Sequence, residues 1–364
     1  MFTTRMARLR ERMTETGTDL VVIGPTSSMV WLAGLSPHGD ERPVMLMVSK
    51  DFAGFMIPVL NVDSARQYTD LPFFSWSDDA GPDGALAALL EATGAHRPGL
   101  QIALDETMRA DFALLVLDAL PSAERSFLYD TVGYLRARKD ESEYRVLKAN
   151  ALINDGAMRS AFASLKPGIS ELEVAGIVGD YYKANGTKPE FIRVCFGENG
   201  AFPHHHTGER KLIANEAVLI DIGGRSDGYP SDMTRVAFCG EPSEEFRKVH
   251  AVLERAVAAA VAAAKRGARA KDVDTAAREI ITDAGYGAFF LHRTGHGMGI
   301  DIHERPYITA TAETILEDGH VFSIEPGIYL SGKFGIRLEE IVIIRGDHAE
   351  ILSELSRAAF EVTV

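Results

Sequence analysis

Two aspartates stand inside apolar runs that offer a carboxylate little. Asp221 lies in Ala217-Val218-Leu219-Ile220-Asp221-Ile222-Gly223, and Asp232 in Ser231-Asp232-Met233-Thr234-Arg235. Between them, Asp227-Gly228 is a strong hairpin-turn signal. A hairpin centred between Ser226 and Asp227 places Asp221 directly opposite Asp232, with Cβ atoms about 4.5–5.5 Å apart on one face of the sheet. Two surface aspartates beside a turn are the plain alternative. An unpaired carboxylate in an apolar strand is costly, however, and two facing each other call for a cation between them.

The same logic recurs near the C-terminus. Val321-Phe322-Ser323-Ile324-Glu325-Pro326-Gly327-Ile328-Tyr329-Leu330 leads through Ser331-Gly332-Lys333 to Phe334-Gly335-Ile336-Arg337-Leu338-Glu339-Glu340. With Gly332 at the turn centre, Glu325 faces Glu339. Between the hairpins lies Gly295-His296-Gly297-Met298-Gly299, whose glycines let the backbone come close to a site and leave the imidazole unobstructed. Four carboxylates can hold two divalent ions, and His296 becomes a plausible nitrogen ligand beside them. An oxygen-rich set with one imidazole suits Mn²⁺ or Co²⁺ and tolerates Zn²⁺ or Fe²⁺. Arg337, on the strand face of Glu339, either holds a carboxylate from behind or is an ordinary surface arginine.

The elements that must position these groups fall into two parts. Residues 1–134 alternate helices and strands: a helix over 2–15, strands at 20–23, 43–49, 53–58 and 101–105, and helices near 83–94 and 108–119. That is an α/β layer pattern, and it carries no chemical cluster. A charged stretch, Leu135-Arg136-Ala137-Arg138-Lys139-Asp140-Glu141-Ser142-Glu143, opens the second part, 135–364. A long helix runs from it to about Leu165, and Ser170-x-x-Glu173 forms a capping box for the next helix. Strands at 191–197, 216–223, 229–238, 320–330 and 334–345 follow, with helices at 243–266 and 271–284 among them.

Composition narrows the role. The 364 residues carry a formal charge of −14, which gives nucleic-acid binding no support. No run approaches the roughly 20 apolar residues of a membrane helix, and the amphipathic start is not a secretory signal. Cys195 and Cys239 form no disulfide framework, in keeping with a reducing cytoplasm.

Taken together, these segments resemble the pita-bread metallopeptidases, which include Xaa-Pro dipeptidases (prolidases), aminopeptidase P and the methionine aminopeptidases. The likeness covers nearly the whole chain and implies an α/β creatinase-like N-terminal domain followed by an α+β pita-bread catalytic domain. It makes Asp221, Asp232, His296, Glu325 and Glu339 the ligands of two divalent metal ions, Mn²⁺ first, with Co²⁺ or Zn²⁺ as alternatives. Asp232 and Glu339 would bridge the ions, Asp221 would complete one shell, and His296 with Glu325 the other. Glu340 stands where the family commonly has Asp.

The resemblance also gives Glu325 the proton transfers. His204, in Asn199-Gly200-Ala201-Phe202-Pro203-His204-His205-His206, and His303, in Ile302-His303-Glu304, would stabilise the tetrahedral intermediate and orient the prolyl side. His205 and His206 are open between function and a solvated loop. The implied substrates are short proline-containing peptides, cleaved before proline by a cytoplasmic homodimer. The N-terminal domain argues against methionine aminopeptidase, and five retained ligands argue against creatinase-like enzymes and non-catalytic binding modules. A lyase acting on a small charged metabolite stays open. So does aminopeptidase P: some prolidases carry Arg where this chain has Tyr307, which leaves Arg305 as a candidate for the substrate carboxylate.

Overall fold

A computed structural model describes residues 2–363. Met1–Arg136 and Ala137–Val364 form two compact units. The boundary read from the sequence, 134/135, falls within the last helix of the first unit.

That first unit is a six-stranded sheet with helices beside it. Its strands are β1 (Leu20–Ile23), β2 (Met45–Ser49), β3 (Ala53–Pro58), β4 (Phe73–Trp76), β5 (Gln101–Leu104) and β6 (Glu124–Phe127), in spatial order β4-β3-β2-β1-β5-β6. β1 pairs antiparallel with β2 and parallel with β5, so Leu20-Val21-Val22-Ile23 is central and wholly buried. Its helices are α1 (Phe2–Thr16), α2 (Ser27–Ala33), the single turn α3 (Val62–Ala65), α4 (Asp83–Thr93), α5 (Ala110–Ala119) and α6 (Val132–Ala137). Leu86, Leu89 and Leu90 of α4 and Phe112 and Val116 of α5 close the core over Leu20, Val22, Met45 and Met56.

The second unit opens with α7 (Glu141–Ser164) and α8 (Glu171–Ala184), both started by capping boxes, Asp140 with Glu143 and Ser170 with Glu173. β7 (Lys188–Phe196), β8 (Glu216–Ser226), the two-residue β9 (Tyr229–Pro230) and β10 (Met233–Cys239) follow, then α9 (Glu244–Ala263) and α10 (Ala270–Asp283). The remaining strands are β11 (Gly295–Gly297), β12 (Glu304–Ile308), β13 (Val321–Ile324), β14 (Gly327–Leu330), β15 (Phe334–Arg337), β16 (Glu340–Arg345), β17 (His348–Ile351) and β18 (Phe360–Val362). One sheet runs β18-β10-β8-β7 and another β12-β11-β13-β16-β17, with β14-β15 as a separate ribbon.

Strand alternation sorts β8 between two cores. Val218, Ile220 and Ile222 meet Met158 and Ala161 of α7 and Val174 and Val178 of α8. Ala217 and Leu219 point the other way, into the core shared with Val249, Leu253 and Val257 of α9, with Ile324 and Val342 of the second sheet and with Ile336 of the β14–β15 ribbon. Asp221 has the parity of Ala217 and Leu219. Its side chain is therefore delivered to the interior, between sheets, where solvent cannot satisfy it.

The first hairpin differs from the sequence expectation. Asp227 and Gly228 both take positive φ, 50° and 83°, so the turn is a two-residue one centred between them. The ladder accordingly pairs Asp221 with Thr234 and Ile222 with Met233, rather than Asp221 with Asp232. Asp232 sits just before β10, diagonal to Asp221 and on the same face. The second hairpin keeps the expected register: β13 pairs with β16 through Ile324–Glu340, and β14 with β15 through Gly327–Arg337. Glu325 and Glu339 lie in the gap between these ladders, where Pro326 has no N–H to donate.

Candidate metal centre

Asp221, Asp232, His296, Glu325 and Glu339 all line one cavity of about 640 Å³, within the size range of small-molecule sites, roughly 300–1,000 Å³. His204 and His303 lie on its wall. Asp232, His296 and Glu339 bring one ligand atom each to within 4.8 Å of one another.

His296 is aimed by its neighbours. Its backbone N–H donates to Ser323 Oγ at 2.9 Å, and its Nδ1 lies 3.2 Å from Gly297 O, a partner that can only accept. With its proton on Nδ1 the imidazole offers the Nε2 lone pair to a cation, and with both nitrogens protonated it donates from Nε2 instead. Nε2 lies 3.2 Å from Glu325 Oε1 and 3.7 Å from Asp232 Oδ2. Oxygens this close to the ring nitrogen require a proton or a metal cation between them. The flanking glycines work differently from the sequence expectation. A Cβ on Gly295 would stand 1.8 Å from Ser323 O and one on Gly297 2.4 Å from Arg305 O, so the close approach they permit is to neighbouring strands rather than to the site.

The carboxylates are under strong electrostatic pressure. Burial, then the charges of neighbouring carboxylates, pushes the Asp232 and Glu339 carboxyls well above their usual range. Burial also acts upward on Glu325, but the hydrogen bond and charge of His296 outweigh it and hold that carboxyl down at about 2. The donor set fits divalent cations, because an oxygen-rich cavity with one imidazole and crowded carboxylates is stabilised by opposite charge.

Behind the cavity, Arg337 is buried and is not a surface arginine. It donates to Asp221 Oδ2 (2.6 Å), Thr234 Oγ1 (2.9 Å) and Tyr329 Oη (2.9 Å). Thr234 in turn donates to Glu339 Oε2 at 2.7 Å, so Arg337 holds Asp221 directly and Glu339 through one hydroxyl. Fully buried Arg235 donates to Glu340 Oε1 at 2.9 Å, which gives Glu340 a bracing role one residue past Glu339.

Sequence reasoning assigned no role to three further residues of the cavity wall: Arg193, His292 and Arg293. Arg193, directly opposite Asp221 across β7 and β8, donates to Asp221 Oδ2 at 3.0 Å. His292 Nε2 meets Tyr329 Oη at 2.8 Å. The only sequence signal for them was proximity: Arg193 in a strand flanking the hairpin, His292 and Arg293 just ahead of His296. Of the three-histidine run, His204 faces the cavity, His205 Nε2 lies 3.2 Å from Glu171 Oε2, and His206 is exposed. The His303 ring centroid is 4.0 Å from that of His296. Burial, then His296 and Arg293, push the His303 imidazole down to about 4. Arg305 is exposed and does not line the cavity. Among the described residues, no helix is long and apolar enough to cross a membrane.

Comparison with known proteins places these features in a family. The pattern of Metallopeptidase family M24 matches residues 145–346, and that of the Creatinase/Prolidase N-terminal domain matches residues 5–137. An Xaa-Pro dipeptidase of Pyrococcus furiosus is 32% identical over 357 residues, spanning 97% of this chain and 98% of that protein. The crystal structure of dipeptidase PepE from Mycobacterium ulcerans superposes with a TM-score of 0.95 at 32% identity, covering 100% of this chain and 98% of the other. A recombinant prolidase from Thermococcus sibiricus gives 0.91 at 32% identity, covering 100% and 99%.

Proposed function

The chain belongs to metallopeptidase family M24 and is a hydrolase; from that premise we propose that it hydrolyses the bond preceding proline, in Xaa-Pro dipeptides above all, with two divalent metal ions. The ligands in this reading are Asp221, Asp232, His296, Glu325 and Glu339, with manganese as the first choice of metal and cobalt or zinc next. The single supporting observation is their convergence on one cavity from five separate stretches of chain. The reading extends to a cytoplasmic homodimer, as the resemblance implies.

Ions held by these donors supply Lewis acidity, which lowers the pKa of water towards neutrality and polarises a carbonyl. The protein supplies the rest. Asp232 and Glu339, whose carboxyls are pushed up by burial and their acidic neighbours, would be shared between the ions, while Arg337 and Thr234 keep Asp221 and Glu339 from swinging away. Glu325, ionised at neutral pH, takes the proton from the attacking water and returns it to the leaving prolyl nitrogen. His303, neutral at pH 7, and His204 stand on the wall to hydrogen-bond the developing oxyanion and orient the substrate.

One observation favours a second reading, aminopeptidase P acting on longer Xaa-Pro peptides: Tyr307 stands where some family dipeptidases carry Arg. The decisive assay loads the protein with Mn²⁺, counts bound metal, and compares Ala-Pro, Ala-Pro-Ala and non-prolyl dipeptides. Turnover of Ala-Pro with about two metals per chain is expected. A protein that splits no prolyl peptide would defeat the specificity claim, and one that retains no metal would defeat the site.

A further inference from the structure

Resting on the dipeptidase reading above, we propose that Arg293 grips the free carboxylate of the substrate, doing from the segment that leads into β11 what Tyr307 on β12 cannot.

A dipeptide carries its carboxylate into a cavity already lined by five acidic side chains, Glu190 and the four carboxylates of the metal centre. A planar guanidinium with an open edge is the group best shaped to receive it, because two parallel N–H donors match the two carboxylate oxygens. Three arginines line the cavity: Arg193, Arg293 and Arg337. Arg337 is buried with its donors engaged by Asp221, Thr234 and Tyr329. Arg193 is tied to Asp221 at 3.0 Å. Arg293 meets no carboxylate among the described residues. Its guanidinium carbon sits 4.6 Å from the centroid of the Tyr307 ring.

That stacking explains how a tyrosine at position 307 is compatible with carboxylate binding. A cation–π contact occupies the flat face of the guanidinium and leaves its in-plane N–H groups free. It also restrains a long side chain before substrate arrives, so less entropy is lost on binding. Tyr307 is paired with His296 across β11 and β12, which sets the stacked guanidinium beside the imidazole end of the cavity. Arg305 lies on the same ring at 6.0 Å, but it is exposed and does not line the cavity. Arg293 is thus the cavity-lining cation left for an anionic substrate group, and the substrate class becomes peptides whose free carboxyl terminus lies immediately after the scissile bond.

The test uses the full-length, Mn²⁺-loaded protein with Ala-Pro and its C-terminal amide. Wild type should favour the free acid. Arg293→Ala should raise KM for Ala-Pro roughly 10–100-fold, the usual loss of a hydrogen bond to a charged group, with kcat little changed and the amide within twofold. Arg293→Lys should recover part of the preference, and Arg305→Ala should leave it unchanged. If Arg293→Ala keeps the wild-type acid-to-amide ratio, or if Arg305→Ala is the variant that loses it, the assignment is wrong. Titration calorimetry with proline and prolinamide separates this from the functional reading. A wild type that turns over no prolyl peptide ends the dipeptidase reading, yet an Arg293-dependent preference for proline over prolinamide still supports the carboxylate site. Equal binding of the two by wild type, or no binding of either, overturns it.

Discussion

Replacing Arg337 with methionine tests whether the second layer of the site holds the first. The substitution keeps an apolar stem but removes three donors, those to Asp221, Thr234 and Tyr329. Tyr329 retains His292, and Thr234 retains Glu339, so neither is orphaned. The damage concentrates on Asp221, which is only 4% exposed. Removing one partner of a buried ion pair costs about 3–5 kcal/mol. Arg193 still reaches Asp221 at 3.0 Å, which places this case at the lower end, about 3 kcal/mol. For a unit of this size that lowers Tm by about 6–12 °C. Thermal melts followed by circular dichroism should show the full deficit in metal-free protein. Mn²⁺ should narrow it, because a cation beside Asp221 replaces the lost charge. A double variant, Arg337→Met with Asp221→Asn, should be less destabilised than the sum of the single changes, since the uncompensated charge is gone. A metal-free Arg337→Met protein melting within 2 °C of wild type would refute the argument.

Three further outcomes are expected. Glu325→Gln preserves shape but removes the proton acceptor, so kcat should fall about 10²–10⁴-fold while Tm moves little; near-normal turnover would reassign the base. His320 is fully buried with its Nε2 unpartnered, and burial, Arg138 and Lys139 depress its imidazole to about 3. Because the folded pKa lies below the unfolded one, His320 favours the folded state fully above pH 6.5, and that contribution is lost as pH falls towards 3, by about 1.4 kcal/mol per pH unit. His320→Leu should flatten the stability profile between pH 6 and 4, and an unchanged slope in urea titrations would show that other groups set it. Finally, the buried Glu171 carboxylate accepts from Phe196 N, Asn199 Nδ2 and Gly208 N and meets His205 Nε2, spanning the loop that carries His204. Glu171→Ala should lower kcat/KM at least tenfold and speed amide exchange across 196–208; activity without either change would separate that loop from catalysis.

The first hairpin shows why a register error did no harm. The sequence expectation centred the turn one residue boundary early and so matched Asp221 with Asp232, whereas the ladder matches it with Thr234. The partner is displaced by two residues, and strand side chains alternate with period two, so Asp232 stays on the face of Asp221 and reaches the same cavity. A displacement of one would have sent it to the α7–α8 side. The turn itself was legible: Asp227 and Gly228 at positive φ are what a two-residue hairpin requires. In the second hairpin the register was legible even though Glu325 and Glu339 make no ladder of their own, because β13–β16 and β14–β15 share one alignment across the gap at Pro326.

What escaped the sequence depends on pairings between distant strands. Arg193 becomes part of the site only because β7 lies on β8 with Arg193 opposite Asp221, and an arginine between Ile192 and Val194 carries no mark of which residue will face it. The expected strands leave out Gly-His-Gly, yet Gly295–Gly297 is a strand, held between β12 and β13 by contacts that leave no room for a Cβ. The same packing holds His296 in place: with Nδ1 directed at Gly297 O and the backbone held by Ser323, the ring keeps Nε2 aimed at Glu325 and Asp232. The glycines therefore act on the chemistry at one remove. They let three strands close up, and the closure aims the imidazole. Substituting alanine at Gly295 would have to push β13 away, and the first thing displaced would be Ser323, whose hydroxyl orients both His296 and Glu325.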